Sequence, residues 1–580
     1  MTDYRKEIAA LLSALDLIKD AGLNEDDVYN IVETPKDADL GDFAFPCFRL
    51  SKALSKAPQL IAAEIAEAAA KAGGADSFHA TATGPYVNFF VDRNVFGKDV
   101  LTEALTKGER FGSSDAGNGK RMLVEFSSPN IAKPFHIGHI RSTVIGSSIS
   151  KILAFLGYEV IRLNHLGDYG TQFGKLIVAY RRFGSREEVE EAPIQTLLKY
   201  YVEFHKQAES DPSLDAEARA AFAALERGEE EERALWEWFR EESLKEFTVV
   251  YDMMGIEFDS FAGESFYSDK MERFTDELSD KGLLKLSDGA EIVDLDGCGL
   301  GKALIRKSDG STLYITRDIA AAVYRKEHYG FYKNIYVVAS QQDLHFRQWI
   351  KILELMGYEW ANDCIHIPFG LIRLEDGAMQ TRTGNVVFLE DVLRQAIDKT
   401  RDIIAEKGVV TDNPEKTALE IGIGAVIFQE LSGNRIKDYV FNWDKVLNFD
   451  GETGPYVQYN YARTCSVLRK AAEAGIDTSS SALISAESFS AAGSEPAFAL
   501  IKLIASLPGV IAEAGEKYEP SLITRHVTDI AQAFSVFYHE EPILSDSGDS
   551  RKVKLAITAA AGQAIKNGLS LIGVNAPERM

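Results

Sequence analysis

The spacing of apolar positions changes several times along the chain, and each change predicts a different kind of element. KEIAALLSAL and APQLIAAEIAEAAAKAGG have the spacing of amphipathic helices, whereas YVNFFV alternates as a strand does. Further on, the strand RMLVEF, a helix after Pro134 and the strand GYEVIRL follow one another. Strand, helix and strand in this order predict a parallel α/β unit. NIYVVAS and CIHIPF predict two later strands, separated by the helix HFRQWIKILELMG.

Changes in this pattern also divide the chain into regions. Residues 1–108 mix helices and strands, and the Gly- and Ser-rich ERFGSSDAGNGK predicts the linker that follows them. Residues 119–386 carry the parallel α/β pattern, interrupted by a helical insertion at about 187–251 and by a strand-and-turn insertion at about 271–305. Residues 387–455 predict a connecting helical segment, and the Ala- and Leu-rich residues 456–580 predict an all-α bundle.

Composition is that of a folded chain too long for a single core. Of 580 residues, 46% are hydrophobic and 26% charged. No run approaches the roughly 18 apolar residues of a spanning helix, and MTDYRKEIAALLSAL lacks the features of a signal peptide. We therefore expect a cytoplasmic protein that does not enter the membrane. The 4 cysteines are scattered without a Cys-x-x-Cys pair, which argues against zinc and against a disulfide framework.

The net charge of −25 excludes a uniformly basic surface. The acidic residues are concentrated in the helical insertion, where residues 186–250 contain 8 basic and 18 acidic side chains. Screening limits surface charge effects to roughly 8–10 Å, so a local positive track for nucleic acid remains compatible with an acidic total.

The sequence KPFHIGH contains several candidate catalytic residues close together. A strand ends near Ser127, and a helix is predicted to begin near His136. His136 and His139 are three residues apart and so lie on one face of the first turn, while Gly138 lets a ligand approach the backbone. Two imidazole donors at the positive end of a helix, with the cation of Lys133 beside them, suit phosphate oxygens during nucleotidyl transfer. The alternative is two histidines that cap an ordinary helix.

HIGH on a parallel α/β unit resembles the class I aminoacyl-tRNA synthetases. The resemblance implies a Rossmann-like catalytic domain that binds ATP with Mg²⁺, and a second motif, Lys-Met-Ser-Lys, near the end of that domain. In DGAMQTRTGNVVFL both lysines of that motif are missing, and Met379, Thr381 and Arg382 occupy its place. This departure resembles the arginyl-tRNA synthetases, in which a lysine just before HIGH is thought to compensate. Lys133 stands at that position.

Longer segments resemble the same family in the same order along the whole chain, among them NHLGDYGTQFGKLI, LYITRDIAAAVYR, LHFRQ and YVQYNYAR. The implied partners are arginine, ATP and tRNA(Arg), and the implied state is a monomer. By resemblance, Asp318 addresses the guanidinium, Glu264 and Asn130 hold the α-amino end, and Tyr314 and Gln342 complete the pocket. A guanidinium requires carboxylates of this kind. The alternatives are that Asp318 is a helix N-cap and that Glu264 lies in a simple turn.

A further segment lies at the carboxyl end of the second strand, where open α/β sheets bind ligands. By resemblance it forms part of the active-site floor, through His165, Gly167, Asp168, Gly170 and Gln172. His345 is either a neighbour of the active site or a histidine that merely starts a helix.

The resemblance implies that residues 1–108 contact the corner of the tRNA and that residues 456–580 bind the anticodon. Phe89 and Phe90 are candidates for stacking on a base, but successive strand residues point to opposite faces, so at least one belongs to the core. Tyr456, Tyr459, Tyr461 and Arg463 have helical spacing, which is more typical of core residues than of an RNA platform.

The implied reaction is attack of the arginine carboxylate on ATP, followed by transfer of arginine to the terminal ribose of the tRNA. Other interpretations remain open: another class I synthetase, a small-molecule nucleotidyltransferase and a non-catalytic RNA-binding paralogue. The absence of zinc ligands argues against a cysteinyl enzyme. The nucleotidyltransferase would not need the terminal modules, and the paralogue is expected to have lost HIGH or the arginine pocket.

Overall fold

The structure is a computed structural model that describes residues 3–35, 37, 40–72, 77–307, 314–373, 387–408, 411–440, 442, 448 and 451–580. The chain forms two compact units, which do not follow the order of the sequence. The first unit contains Met1–Phe111, Arg463–Leu507 and Asp529–Ile565, and the second contains Gly112–Ala462, Pro508–Thr528 and Lys566–Met580.

The N-terminal part of the first unit combines helices with an antiparallel sheet. The strands β1 (Phe43–Pro46), β2 (Phe78–Thr83) and β3 (Tyr86–Val91) lie in the order β1-β3-β2. Ile8, Ile61 and Phe89 are fully buried in the core beneath this sheet. The α+β character predicted for this region is confirmed. The helices are α1 (Tyr4–Ala14), α2 (Asp16–Asp20), α3 (Glu25–Ile31), α4 (Ser51–Leu54), α5 (Pro58–Lys71) and α6 (Arg93–Lys107).

A parallel sheet forms the centre of the second unit. Its described strands are β4 (Arg121–Glu125), β5 (Glu159–Leu163), β9 (Lys333–Ala339) and β10 (Cys364–Phe369), in the order β10-β9-β4-β5. The helix α7 (Ile140–Phe155) connects β4 to β5, while the chain from β9 continues to β10 on the opposite side of β4. The strand order therefore reverses between β4 and β9, and open α/β sheets bind ligands at the carboxyl ends of such strands.

Helices occupy the region predicted as an acidic insertion. The helix α8 (Gln172–Phe183) follows β5 and precedes this insertion, and it contacts both α10 (Pro193–Ala208) and α11 (Ser213–Glu226). The glycine at position 174 permits the close contact with α11, because a Cβ there would lie 2.0 Å from the carbonyl oxygen of Ala218. The helices of the insertion are α9 (Arg186–Glu191), α10, α11 and α12 (Glu230–Met254).

The segment predicted to have strand-and-turn character from about residue 271 to residue 305 differs from that prediction at its start. It begins with a helix, α14 (Glu272–Asp280), which buries Phe274 and Leu278. Only then does the antiparallel sheet β6 (Leu284–Ser287), β7 (Ala290–Asp294) and β8 (Lys302–Arg306) follow. Two apolar residues one turn apart are too weak a pattern to identify a short helix. The flanking helices are α13 (Glu264–Tyr267) and α15 (Tyr314–Tyr329).

The remainder of the chain is mostly helical. A short parallel pair, β11 (Ile372–Arg373) with β12 (Tyr439–Val440), joins chain segments that are distant in sequence. The C-terminal residues are helical, as predicted for residues 456–580. The helices are α16 (Asp343–Leu355), α17 (Leu389–Lys407), α18 (Pro414–Ser432), α19 (Gly454–Glu473), α20 (Ser480–Leu483), α21 (Glu495–Lys517), α22 (Ser521–Glu540) and α23 (Gly548–Leu571).

One described helix, α21, is long and apolar enough to cross a membrane when only length and composition are considered. In the structure its apolar side chains Phe498, Ile501 and Ile504 are buried within the fold. A core helix of a large domain satisfies the same two criteria.

Candidate active site

The loop that follows β4 is strained. Ser127, Ser128 and Ala132 adopt positive φ angles of 68°, 47° and 55°, although none of them is glycine. Such conformations cost on the order of 1–3 kcal/mol each and persist only where the surroundings enforce them. This loop carries Asn130 and Lys133, so the strain lies in the segment that the sequence predicts to be functional.

Helix α12 from the insertion holds this loop in place. The amide of Ala132 donates a hydrogen bond to Ser243 Oγ at 3.0 Å, and the hydroxyls of Ser127 and Tyr251 lie 2.8 Å apart. Asn164 Nδ2 donates to the same tyrosine hydroxyl at 3.0 Å. The insertion is therefore part of the framework of the site, although no pattern in the sequence predicts this connection.

Asn130 meets the predicted floor segment at Gly167. The two residues form a parallel β-bridge, and the amide of Gly167 donates to the carbonyl of Pro129 at 3.0 Å. A Cβ at Gly167 would lie 2.1 Å from Asn130 Oδ1. Any side chain at position 167 would thus displace Asn130, so steric contact explains why this position is a glycine.

His136 and His139 bracket a single turn, Ile137–His139, that leads directly into α7. Their ring centroids are 4.0 Å apart. The amide of Gly138 donates to His136 Nδ1 at 3.1 Å, and the amide of His136 donates to His139 Nδ1 at 3.2 Å. Because Nδ1 of His136 accepts a hydrogen bond, its neutral ring carries the proton on Nε2, which remains a donor for a ligand.

Burial keeps both rings uncharged. It lowers the pKa of His136, and it lowers the pKa of His139 to about 3, with a further contribution from the neighbouring His136. At neutral pH the two rings can therefore donate hydrogen bonds but bring no positive charge. Among the residues that the sequence analysis grouped at this turn, positive charge has to come from Lys133.

A cavity of about 750 Å³ opens beside these residues. That volume lies within the usual range of roughly 300–1,000 Å³ for small-molecule sites. One wall consists of Asn130, Lys133, Pro134, His136 and His139, and the other is contributed by α10 through Leu198, Tyr201, Val202 and His205. The wall from α10 was not predictable from the sequence, because periodicity identifies a helix but not its partner in space.

Asp318 and His345 form a second cluster. His345 Nε2 lies 2.5 Å from Asp318 Oδ2, which joins α15 to the first turn of α16. Asp318 occupies the second turn of α15, so the alternative that it is the N-cap of this helix is wrong. A carboxylate has several acceptor positions, and His345 uses only one of its oxygens. The pair can therefore still accept hydrogen bonds from a cationic ligand.

Glu264 and Arg317 form a third cluster. Arg317 Nη1 lies 3.3 Å from Glu264 Oε1, and both side chains are largely buried. The guanidinium of Arg317 also packs against the rings of Tyr169 and Tyr314, at 4.9 and 5.7 Å from their centroids. Burial raises the pKa of Glu264 to about 7, although Arg317 acts to lower it. Glu264 is the first residue of α13, so it does not lie in a simple turn.

The other two predicted pocket residues lie on the surface near these clusters. Tyr314 is the first described residue of α15 and is 64% exposed. Gln342 ends the turn Ser340–Gln342 between β9 and α16, three positions before His345 in the chain, and is exposed.

The predicted floor segment consists of structural contacts more than of ligand-facing ones. Asp168 is fully buried, where its carboxylate accepts from Arg240 Nε at 3.2 Å and from the amide of Ser265 at 2.8 Å. His165 is partly buried, with Nδ1 3.3 Å from Arg325 Nη2. Sequence analysis missed this arginine. Gly170 has a φ angle of 132° and Gln172 starts α8, so these two residues shape the turn into the insertion.

Met379, Thr381 and Arg382 lie outside the described residues. The chain that follows them is described from Val387, and it pairs with the HIGH segment in the antiparallel sense. Ile137 donates its amide to the carbonyl of Val387 at 3.1 Å, and Leu389 donates to the carbonyl of Phe135 at 2.9 Å.

The candidate RNA-binding aromatics separate by burial. Phe89 is fully buried, whereas Phe90 is partly exposed and stacks on His79 with ring centroids 5.0 Å apart. Of the tyrosines in α19, Tyr461 is buried and Tyr459 is 41% exposed. The expectation that at least one of the two phenylalanines belongs to the core is confirmed.

The donor set at the cavity does not resemble a protein cage for a metal ion. In the part of the chain that the structure describes, no group of three or more His, Cys, Asp or Glu side chains could hold one. Mg²⁺ prefers oxygen ligands and commonly keeps several waters while it bridges substrate phosphates. The residues present fit an ion that enters with a nucleotide, with Asn130 as the one side-chain amide oxygen on the cavity wall.

Three families of known proteins match successive parts of the chain. Residues 2–91 match the arginyl tRNA synthetase N terminal domain, residues 100–443 match tRNA synthetases class I (R), catalytic domain, and residues 457–580 match the DALR anticodon binding domain.

Curated relatives match over the entire length. The chain is 53% identical to the arginine–tRNA ligase of Halothermothrix orenii and 52% identical to that of Clostridioides difficile, with 100% of each chain covered. Among solved structures, the fold is similar to Thermus thermophilus arginyl-tRNA synthetase, with a TM-score of 0.79 and 23% identity over 99% of this chain and 100% of that one. The Plasmodium falciparum arginyl-tRNA synthetase gives a TM-score of 0.78 and 22% identity, with both chains fully covered.

Proposed function

The chain belongs to the arginyl-tRNA synthetases, which are class I aminoacyl-tRNA ligases, and on this premise we propose how its residues divide the work of the reaction. The chain is an arginine–tRNA ligase: it activates arginine with ATP to arginyl-adenylate and pyrophosphate, and it then esterifies the 3′-terminal ribose of tRNA(Arg). The roles of individual side chains are our proposal.

The observation that carries this assignment of roles is the cavity of about 750 Å³ that Asn130, Lys133, His136 and His139 line together. In our proposal this cavity receives ATP. The two neutral imidazoles donate hydrogen bonds to phosphate oxygens, and Lys133 supplies the positive charge that the buried rings lack. Gly138 leaves the backbone accessible at the start of the helix, where the helix dipole favours an anion.

In this proposal the second motif, which lies outside the described residues, also stabilises the developing charge through Met379, Thr381 and Arg382. When bound with the nucleotide, Mg²⁺ would supply additional neutralisation of the phosphate charge, with Asn130 as the side-chain amide oxygen on the cavity wall. The protein's own part is to orient the nucleotide and to donate hydrogen bonds to it.

The arginine pocket follows from the two remaining clusters. Asp318, oriented by His345, accepts the donors of the guanidinium, and Glu264 with Asn130 holds the α-ammonium group. Tyr314 and Gln342 close the pocket at its surface. The substrate carboxylate then lies toward the HIGH turn, where it attacks the α-phosphorus.

Attack forms a carboxylate oxygen–phosphorus bond and breaks the bond to pyrophosphate, so no protein nucleophile is required. In the second step a ribose hydroxyl, the 2′-hydroxyl in our proposal, attacks the activated carbonyl and AMP leaves. Stabilisation of charge and alignment of reactants are the protein's contributions to both steps.

The finer organisation of the molecule is also a proposal. Residues 1–108 contact the corner of the tRNA, residues 119–386 form the catalytic domain, residues 387–455 connect, and residues 456–580 bind the anticodon. We propose that the enzyme is a cytoplasmic monomer that requires bound tRNA before it activates arginine. The three matched families, which divide the chain in the same order, support this organisation.

Substitution of Asp318 by asparagine tests the assignment of the guanidinium site. Citrulline is the neutral isostere of arginine, with a urea in place of the guanidinium. If Asp318 reads the cation, Asp318→Asn lowers the ratio of kcat/KM for arginine to that for citrulline by about a hundredfold, because a charge-assisted contact is lost. The measurement is pyrophosphate exchange with each amino acid in the presence of tRNA.

Asp343→Asn is the matched control, because Asp343 is an exposed carboxylate two residues from His345 in the same helix. This variant retains the wild-type ratio. An unchanged ratio in Asp318→Asn would remove Asp318 from the guanidinium site and leave it as a structural partner of His345.

A further inference from the structure

Arg141 is a buried arginine that the mechanism above does not use. It lies in α7, two residues after His139, and only 2% of its surface is exposed. An arginine is rarely buried unless its donors and its charge are satisfied. Its partners therefore show what the fold gains from placing a guanidinium there.

The guanidinium bonds mainly to backbone carbonyls. Its Nη1 donates to the carbonyls of Gly370 at 3.0 Å and Lys437 at 2.8 Å, and its Nη2 donates to the carbonyl of Arg435 at 3.0 Å. It also packs over the ring of Tyr439, 5.3 Å from the centroid. The planar guanidinium has several N–H donors in fixed directions, so it can bond all three carbonyls at once. A lysine ammonium is a compact point charge without this geometry.

These carbonyls belong to two chain segments that meet at β11 and β12. Gly370 lies just before β11, and its amide donates to Arg435 at 2.9 Å. A Cβ at Gly370 would lie 2.6 Å from the carbonyl oxygen of Ile436, so the two segments are in close contact. Arg141 thus binds both segments at the point where they come together.

The position of β11 in the chain connects this contact to the reaction. In the sequence, Met379 and Arg382 lie between β11 and Val387. The carbonyl of Val387 accepts a hydrogen bond from the amide of Ile137 in the HIGH turn. The HIGH segment and the start of α7 therefore contact the described chain on both sides of residues 374–386. The contact at Val387 is a backbone pairing, whereas at Gly370, just before β11, the contact is made by the side chain of Arg141.

Glu430 is the nearest acidic neighbour of Arg141, but it does not hold the guanidinium in place. Its Oε2 lies 3.8 Å from Arg141 Nε, and neither oxygen of this buried carboxyl has a hydrogen-bond partner among the described residues. Burial raises the pKa of Glu430 to about 8, although the nearby guanidinium of Arg141 acts to lower it. The hydrogen bonds described for the Arg141 guanidinium are therefore those to the three carbonyls, beside its packing on Tyr439.

We propose that Arg141 is a positioning residue that holds the HIGH turn in register with the β11–β12 pair for the formation of arginyl-adenylate. The inference rests on the proposed function and adds to it a residue outside the nucleotide cavity. Arg141 contacts neither substrate in this account. It acts through the backbone of the segments that it joins.

The test compares the two half-reactions in Arg141→Met and Arg141→Lys. Pyrophosphate exchange measures adenylate formation, and transfer from chemically prepared arginyl-adenylate to tRNA measures the second step. We expect the KM for ATP to rise and exchange to fall about ten- to a hundredfold in both variants, while transfer and the KM for arginine stay within about threefold of wild type. Lysine fails to rescue because one ammonium does not replace the fork across both segments.

Two controls separate positioning from general stability and from charge. Arg121, the first residue of β4, also donates from its guanidinium to a backbone carbonyl, that of Tyr329, but at the end of the strand away from the HIGH turn. Arg121→Met is expected to leave the KM for ATP unchanged. Glu430→Gln keeps the shape of the carboxyl and is expected to behave as wild type.

A parallel loss of exchange and transfer at unchanged KM for ATP would indicate a merely structural arginine and overturn the proposal. Full rescue by lysine, or a defect in Glu430→Gln equal to that in Arg141→Met, would overturn it as well. Failure of the wild-type chain to exchange with arginine in the presence of tRNA would instead refute the proposed function, so the two claims fail separately.

Discussion

The carboxyl of Glu264 illustrates how burial at a single residue sets chemistry. Its pKa is raised to about 7 because the group is buried, and the nearby charges of Asp318 and Asp168 raise it further while Arg317 lowers it. A carboxyl with a raised pKa binds its proton more readily in the folded chain. It therefore stabilises the fold at low pH, and this contribution is lost as the pH rises through about 4.5 to 7.

The same shift gives a pH dependence to substrate binding. A protonated Glu264 cannot pair with the α-ammonium of arginine, so the KM for arginine is expected to rise about tenfold as the pH falls from about 8 to about 6. Exchange rates measured over this range with saturating ATP report the effect. The slope disappears in Glu264→Gln, which has no carboxyl to titrate. An identical slope in that variant would assign the pH dependence to another group.

The HIGH histidines show what sequence can and cannot predict at this scale. The motif identifies the residues and their shared face, but it does not state their charge. Burial, which depends on the packing of α7 and α10 around them, makes both rings neutral. The pairing of Glu264 with Arg317 was equally hidden, because 53 positions of chain separate the two residues.

At the scale of elements, α12 is the part of the insertion with the clearest role. It carries Ser243 and Tyr251, which hold the strained loop at Ala132 and Ser127. Thr143 Oγ1 lies 2.9 Å from Ser127 Oγ and 2.8 Å from the carbonyl of His139, which extends the hydroxyl chain to the HIGH turn. The insertion thus controls the geometry of residues that it does not itself contain.

Removal of one hydroxyl tests this control. Ser243→Ala leaves the amide of Ala132 without its partner in a buried position, so kcat for exchange is expected to fall about tenfold, with a loss of about 1–2 kcal/mol in the free energy of unfolding. Steady-state exchange and denaturant unfolding measure the two quantities.

Thr248→Ala is the control on the same helix, since Thr248 bonds only its own helix, at the carbonyl of Leu244, and is exposed. It is expected to keep the wild-type kcat. If Ser243→Ala also retained full activity, the clamp would have no part in the function of the loop.

Elements with strong periodicity were predictable, whereas their neighbours in space were not. The strands of the parallel sheet and the helices of the insertion follow directly from the spacing of apolar residues. The short helix α14 was missed because only a few of its residues are buried. The packing of α10 against the HIGH turn depends on contacts between distant segments, which no single-sequence pattern records.

At the scale of the whole molecule, the order of the sequence and the compact units differ. The first unit joins the N-terminal residues to parts of the C-terminal helices, where Arg93 pairs with Glu495 at 2.6 Å and packs over Phe498. The sequence predicted separate regions at the two ends of the chain, because changes in the pattern of apolar and polar residues do not reveal which regions associate.

The acidic charge of the insertion is partly compensated by arginines of the preceding helix α8 and of the insertion itself. Arg181 pairs with Glu232 at 2.8 Å, Arg182 pairs with Glu217 at 2.6 Å, and Arg233 pairs with Glu237 at 2.9 Å. Exposed pairs of this kind add little stability. They do reduce the local excess of negative charge near a polyanionic partner, an effect that is confined to about the screening length.

The central claim is that this chain activates arginine and transfers it to tRNA. The most direct test is pyrophosphate exchange with each standard amino acid, in the presence and in the absence of a tRNA(Arg) transcript. The account predicts that, of the standard amino acids, arginine supports exchange and the others do not, and that arginine does so only when the transcript is present. Exchange with lysine or glutamate but not with arginine would contradict it.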